Sequence, residues 1–313
     1  MLRKLTSLAI AALGLTAILS VQPSAAEEVR IGYQKYGTLV ILKEKGLLEE
    51  KLKPLGFTVT WTEFPGGPQL LEALNVGAID FGTTGEAPPI FAQAAGAPLL
   101  YVGYEPPAPT SEAILVAKDS PIQSIGDLKG KKVALNKGSN VHYFLVRALE
   151  KAGIDYKDIQ PVFLPPADAR AAFESGAVDA WAIWDPFYAA AQAATGARTL
   201  ADGTDLVSNH QFFLSEKKFT AANPQVVDAI LDSLKEIDGW AKGKSDEVAA
   251  ELSPKVGIPA PILKSAVERL AYGLQPVTPE VIAEQQKIAD TFFKLGLLPK
   301  QINVADVVRK PTS

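Results

Sequence analysis

Gly77-Ala78-Ile79-Asp80-Phe81-Gly82-Thr83-Thr84-Gly85-Glu86-Ala87-Pro88-Pro89 is the stretch that decides the fold. It reads as strand, tight turn and helix start. Ala78 to Phe81 forms a short buried strand entered through Gly77. Gly82 and Gly85 bracket two threonines, where a bulky side chain would hold the backbone away from a ligand. Two prolines follow closely on Glu86. Proline suits the first helical turn, where its missing N–H has no partner to lose. A helix therefore begins near Glu86, and its first N–H groups point back at the Thr-Thr-Gly turn, a setting for an anion or a polar head group.

The stretch has an echo 99 positions downstream. Gly176-Ala177-Val178-Asp179 repeats Gly77-Ala78-Ile79-Asp80, Asp185-Pro186 repeats the acid and the helix start, and Trp184 falls where Gly85 was. Two copies of strand, turn, acid and helix imply two similar α/β lobes, each presenting a helix start to a shared cleft.

Outward from these junctions the pattern alternates. Strands are expected at 28–33, 57–64 and 99–104, with helices at 39–52, 69–76 and 88–95 between them. That alternation argues for a parallel sheet with helices on both faces. The proline-rich connector Glu105-Pro106-Pro107-Ala108-Pro109 marks a lobe crossing. Strands at 112–118, 133–135, 159–164, 178–183 and 198–201, with helices at 141–152, 167–175 and 185–194, build the second lobe. Gln211 to Leu214 is a last apolar strand, part of the return crossing. From Pro224 onward four helices are expected, 224–242, 245–252, 260–272 and 279–295, packing on the first lobe. The expected organisation is residues 1–26 as a signal peptide, 27–110 as the first part of lobe 1, 111–214 as lobe 2, and 215–313 as the helical return to lobe 1.

The signal peptide rests on Arg3 and Lys4, the apolar run from Leu8 to Val21, and the small-residue site Ser24-Ala25-Ala26. The 313-residue chain has no cysteine. Disulfides, thiolate metal sites and cysteine nucleophiles are excluded, and so is a lipid anchor on a cysteine after the signal. With Arg3 and Lys4 removed, 29 basic residues face 35 acidic ones, a net charge of −6. That argues against nucleic acid or an anionic membrane as partner. His142 and His210 are the two histidines, too few for a multi-histidine metal site.

Three strand–turn–helix junctions are rich in donors and poor in bulk: Thr83-Thr84-Gly85, Gly138-Ser139-Asn140 and Trp184-Asp185. In open α/β sheets the ligand lies beyond the carboxyl ends of the strands, where such junctions sit. None carries a Walker pattern, and Gly66-Gly67 is not a dinucleotide fingerprint. Without Arg or Lys at these starts, the pocket is built from neutral donors and helix dipoles, which suits a small oxyanion with an organic tail. Trp181, Trp184, Phe187 and Tyr188 are available for the tail side. Each residue has a second reading. Thr83, Thr84, Ser139 and Asn140 are also good helix caps. Trp181 reads as core, and a lone histidine reads as structural. Glu86 and Asp185 are open to three roles: an acid–base pair, partners of their own helix starts, or groups that repel doubly charged anions.

Several strings resemble the aliphatic sulfonate-binding proteins of bacterial ABC importers. They are 31–37, 61–65, 80–86, 105–109, Val133-Ala134-Leu135-Asn136-Lys137-Gly138-Ser139-Asn140-Val141-His142, 165–173, Trp184-Asp185-Pro186-Phe187 and Ser208-Asn209-His210-Gln211. The resemblance covers essentially the whole chain after the signal. It implies a two-lobe periplasmic binding protein of type II, each lobe a mixed, mostly parallel sheet flanked by helices, closing on its ligand by a hinge. It implies a monomeric, non-catalytic binder without cofactor or metal, released into the periplasm and delivering alkanesulfonates to a membrane permease and its ATPase. The candidate contacts are Gln34, Thr83, Thr84, Gly85 and Glu86 from one lobe, with Gly138, Ser139, Asn140, His142, Trp184 and Asp185 from the other. A sulfonate is a monoanion with three acceptor oxygens, which N–H groups and hydroxyls can satisfy without a counter-charge. Taurine and nitrate or bicarbonate binding remain as alternatives on the same fold.

Overall fold

The computed structural model describes residues 26–35 and 37–310. The expected signal segment lies outside these residues except for Ala26. Among the described residues ten strands form two five-stranded sheets. They are β1 (Glu27–Tyr33), β2 (Phe57–Glu63), β3 (Phe81–Gly85), β4 (Leu99–Tyr104), β5 (Glu112–Val116), β6 (Lys132–Leu135), β7 (Gln160–Phe163), β8 (Ala180–Trp184), β9 (Arg198–Asp202) and β10 (Gln211–Glu216). The helices of the first half are α1 (Thr38–Lys45), α2 (Leu47–Leu52), α3 (Gly67–Asn75) and α4 (Pro88–Ala94). The second sheet carries α5 (Asn140–Lys151), α6 (Pro166–Glu174) and α7 (Phe187–Thr195). The tail contributes α8 (Lys217–Ala222), α9 (Pro224–Ala241), α10 (Ser245–Val256), α11 (Ala260–Val267) and α12 (Pro279–Lys294).

The strand orders are β2-β1-β3-β10-β4 and β7-β6-β8-β5-β9. In each sheet four strands run one way, and the strand that follows a lobe crossing runs antiparallel between two of them. The segment 211–216 is thus a central strand of the first sheet. The sequence pattern places the end of lobe 2 at residue 214. The chain instead re-enters lobe 1 at Gln211, because the apolar run Gln211–Leu214 fills the place between β3 and β4.

The 99-residue echo extends to whole elements. The spans of α3 and α6, 67–75 and 166–174, and of β3 and β8, 81–85 and 180–184, are both 99 apart, and β5 and β10 start 99 apart. Its residues explain why. Gly77 and Gly176 take φ of 71° and 73°, which lets the chain reverse after α3 and α6. The Asp80 carboxylate then accepts the Arg30 N–H at 2.9 Å, and the Asp179 carboxylate accepts the Lys132 N–H at 2.8 Å. Each acid ties its loop to the neighbouring strand, and Asp80 is also paired with the Arg30 guanidinium.

Strand β3 begins at Phe81, not at Ala78, and runs through the threonines to Gly85. The expected Thr-Thr-Gly turn is therefore a buried strand. Gly82 and Gly85 are not turn glycines: a Cβ on Gly82 would lie 2.7 Å from Leu70 Cδ2. Close packing, rather than chain reversal, selects them. The same shift moves β8 to end at Trp184, and its helix to begin at Phe187.

The first core packs α1, α2 and α9 around Val29, Ile31, Leu39, Leu42, Ile230 and Leu234. On the other face Leu70, Ile90, Tyr101, Phe212 and Phe292 bring α3, α4 and α12 together. The tail helices thus pack on the first sheet, as expected, but α11 ends at Val267 rather than 272 and also packs against α7 of the second lobe.

Candidate ligand-binding cleft

A cleft between the lobes holds about 350 Å³ of empty space, counting the part open to solvent. Lobe 1 lines it with Gln34, Gly67, Gly85 and Pro88; lobe 2 supplies Ser139, Asn140 and Trp184; Asn209 and Gln211 come from the return crossing. No lining residue carries a charge. Apart from Asn209, in the loop before β10, these groups sit at strand ends or helix starts, because the parallel strands of both sheets point their carboxyl ends at the cleft.

The lobes touch across it. The Ala87 N–H donates to Asn140 Oδ1 at 3.2 Å, and Asn140 Nδ2 donates to Asn209 Oδ1. Asn209 holds φ of 52° and donates its own amide to Ala108 O and Ser111 Oγ, both at 2.9 Å. A Cβ on Gly85 would lie 1.9 Å from Asn140 Nδ2, and one on Gly66 would lie 2.7 Å from Asn136 Nδ2 and 3.6 Å from Trp184 Cη2. Glycine at these positions lets lobe 2 side chains rest directly on lobe 1 backbone.

Ser139 occupies the N-cap position of α5, but its hydroxyl donates to Asn136 O at 2.7 Å instead of capping. The first N–H groups of α5 have no partner within the helix, and they start at the cleft. Gln34 donates from Nε2 to Thr83 O at 3.1 Å, which orients the amide in the pocket wall.

Five of the residues expected from sequence, Gln34, Gly85, Ser139, Asn140 and Trp184, line the cleft. The other six do not. Thr83 and Thr84 are buried, and their hydroxyls donate to Phe212 O and Gly85 O. Neither caps a helix. Gly138 faces a neighbouring groove, with φ of 75°. His142 is buried: Nδ1 accepts the Gly138 N–H at 3.1 Å, so Nε2 carries the proton and donates to Tyr156 Oη at 2.9 Å. Burial, with Lys137 nearby, holds its pKa down at about 4, so the ring is a neutral member of an aromatic cluster with Phe91 and Phe292.

Asp185 is fully buried and faces away from the cleft. Its carboxylate takes a two-point contact from Arg269, at 2.6 and 2.9 Å, and the Ala189 N–H at 3.1 Å. Burial raises its pKa and the Arg269 contacts oppose this. Arg269 belongs to the tail of lobe 1 and also lies over the Tyr188 ring, 4.2 Å from its centroid, so the pair ties the lobes together. Glu86 lies behind Gly85. Its carboxylate accepts the His210 N–H at 3.2 Å, and burial pushes its pKa up to about 8, with Glu284 adding to the rise. Burial thus favours its protonated form at neutral pH, and Glu86 and Asp185 each bind groups of their own rather than one another.

Four lining residues were missed. Asn209 and Gln211 stood inside a quoted string whose chemistry is invisible until β10 is placed in the first sheet. Gly67 entered only as part of a pair that is no dinucleotide fingerprint, although a Cβ there would meet Pro88 Cγ at 2.8 Å. Pro88 read only as a helix starter.

Comparison with known proteins agrees with this architecture. Residues 41–245 match the family model described as NMT1/THI5 like. The chain belongs to the NMT1/THI5-like family. Within that family it is 48% identical to a putative aliphatic sulfonates-binding protein of Escherichia coli K12, over 92% of this chain and 91% of that one. Among solved structures of this kind, the alkanesulfonate-binding protein SsuA of Xanthomonas axonopodis pv. citri, bound to MOPS, superposes with a TM-score of 0.87 at 44% identity, covering 92% of this chain and all of that one. The periplasmic aliphatic sulphonate-binding protein SsuA of Escherichia coli superposes with a TM-score of 0.82 at 47% identity, covering 91% and 93%. All three relatives are described as binding proteins.

Proposed function

We propose that this protein is the periplasmic solute-binding component of an ABC importer, capturing aliphatic sulfonates between its lobes for sulfur acquisition. The observation that carries the reading is the uncharged, donor-lined cleft at the carboxyl ends of both sheets, in a chain so similar to sulfonate binders. The head group would sit among Gln34, Ser139, Asn140, Gln211 and the start of α5. Three oxygens of a monoanion suit several neutral donors, whereas a dianion would be left short of positive charge. MOPS, the ligand of the Xanthomonas relative, is a propanesulfonate. The proposed route is export by the signal segment, free diffusion as a monomer, and delivery to a permease with its ATPase.

Taurine would need an acceptor for its ammonium. Asp185 is occupied by Arg269, and Glu86 is protonated and outside the lining, which weighs against it. The test is isothermal titration of residues 27–313, in a buffer free of sulfonates, with ethanesulfonate, octanesulfonate, taurine, nitrate and sulfate. Tight binding of the alkanesulfonates with sulfate silent is expected. Heat from taurine or nitrate alone, or from none of the five, would refute the proposal.

A further inference from the structure

A second cavity abuts the cleft. It lies between α3 and α4 on one side and the loop ahead of α5 on the other, with about 660 Å³ of space, counting the part open to solvent. Leu71, Pro88, Phe91 and Ala92 make its walls, and the charges of Glu72 and Lys137 belong to exposed residues at its edge. Pro88 lines both cavities. On both lobes the chain steps from one cavity to the other within a single residue: Gly67 lines the cleft and Pro68 the groove, Ser139 the cleft and Gly138 the groove. Ser139 in the cleft and Gly138 in the groove have Cα atoms about 3.8 Å apart, so the two cavities adjoin there. Of the further cavities near the cleft, one beside Lys35 and Pro186 is apolar but holds only about 270 Å³, and one behind Glu86 carries Asp205, Ser208, Glu284 and Lys287. Burying an alkyl chain there would strip water from charged groups without replacing it.

We infer that the groove receives the alkyl tail of the ligand whose sulfonate head sits in the cleft, and so sets the preference for chain length. This rests on the sulfonate reading above. The groove has one wall from each lobe: a Cβ on Gly138 would lie 3.3 Å from Phe91 Cδ2. A tail in the groove therefore touches both lobes and favours their closure as well as adding affinity.

The experiment is a titration series of ethane-, butane-, hexane- and octanesulfonate against the wild type and Ala92→Glu. Ala92 is half-buried on the groove wall and outside the cleft lining, so a glutamate there places a charge beside the tail without touching the head group. For the wild type, Kd falls roughly fourfold for each methylene that becomes buried. Ala92→Glu binds ethanesulfonate as the wild type does and loses at least about tenfold for octanesulfonate. Ala95→Glu, at an exposed groove position, gives the same direction of change if the first variant does not fold. Failure of the wild type to bind ethanesulfonate would overturn the sulfonate reading and this inference with it. Ethanesulfonate binding with a flat chain-length series, or a tail gain that survives both variants, would overturn the groove assignment alone.

Discussion

Gly85→Ala isolates lobe closure from folding. The new methyl would sit 1.9 Å from Asn140 Nδ2, 2.2 Å from Oδ1 and 2.3 Å from Cγ, all on the opposite lobe. Normal contact needs roughly 3.5 Å, so the amide must retreat by about 1.5 Å or the lobes must stay apart. Retreat breaks the Ala87 N–H contact to Oδ1 and the Nδ2 contact to Asn209. Each buried group left without a partner costs about 1–3 kcal/mol. With water reaching one of them, the loss is about 1–3 kcal/mol, or roughly 5- to 150-fold in the Kd for ethanesulfonate. Within its own lobe Gly85 lies in an extended strand and does not take positive φ, so alanine fits there. Titration calorimetry measures the first quantity and thermal unfolding of the ligand-free protein the second. In the double variant with Asn140→Ala the obstruction is gone, so its Kd matches that of Asn140→Ala alone. Wild-type affinity in Gly85→Ala would refute the reasoning. A ligand-free Tm lowered by more than about 10 °C would also refute it, because the contact would then belong to the fold.

Arg269→Met leaves the Asp185 carboxylate buried without its partner and lowers unfolding stability by about 3–5 kcal/mol in chemical denaturation, while adding Asp185→Asn recovers much of the loss. The pH dependence of stability carries a signature of Glu86, whose pKa is raised from 4.5 to about 8. Below pH 4.5 its carboxyl is protonated in folded and unfolded chains alike. Between 4.5 and 8 the folded state keeps a proton the unfolded chain gives up, so stability falls as pH rises, by up to about 1.4 kcal/mol per pH unit from this group. Glu86→Gln removes that part of the slope, read as Tm against pH; an unchanged slope would contradict the assignment. Trp184 lines the cleft, whereas Trp181 is fully buried. Sulfonate binding therefore changes the tryptophan emission of the wild type, and Trp184→Phe abolishes most of that change.

What the sequence showed most clearly was periodic or repeated. The Gly-x-hydrophobic-Asp echo marked two equivalent units, because Gly77 and Gly176 need positive φ and Asp80 and Asp179 each tie a loop to a strand. Those acids stabilise the fold and are not part of the cleft lining. The junction itself was misread by several residues. A Thr-Thr-Gly run carries turn-like residues, and only the contacts to Leu70 and Asn140 reveal that its glycines serve close packing. Asn140 and Trp184 were found because donors and aromatics at helix starts carry their own chemistry. The residues alone leave three roles open for Asp185 and only the resemblance puts it at the ligand; its partner Arg269, 84 residues away, has no local signal. Asn209 and Gln211 depend on the register of β10, which pairing across the sheet decides and local pattern does not.

The placement of β10 also orders the assembly of the molecule. The strands of the second sheet all come from residues 112–202, whereas the first sheet needs residues 27–216. Loop-closure entropy must be met before distant strands reward pairing, and segments near in sequence find each other sooner. The second lobe is thus expected to fold first, leaving the first with a gap between β3 and β4. That gap exposes two unsatisfied strand edges until residues 211–216 arrive, which makes the half-made first lobe the stage of folding most open to aggregation.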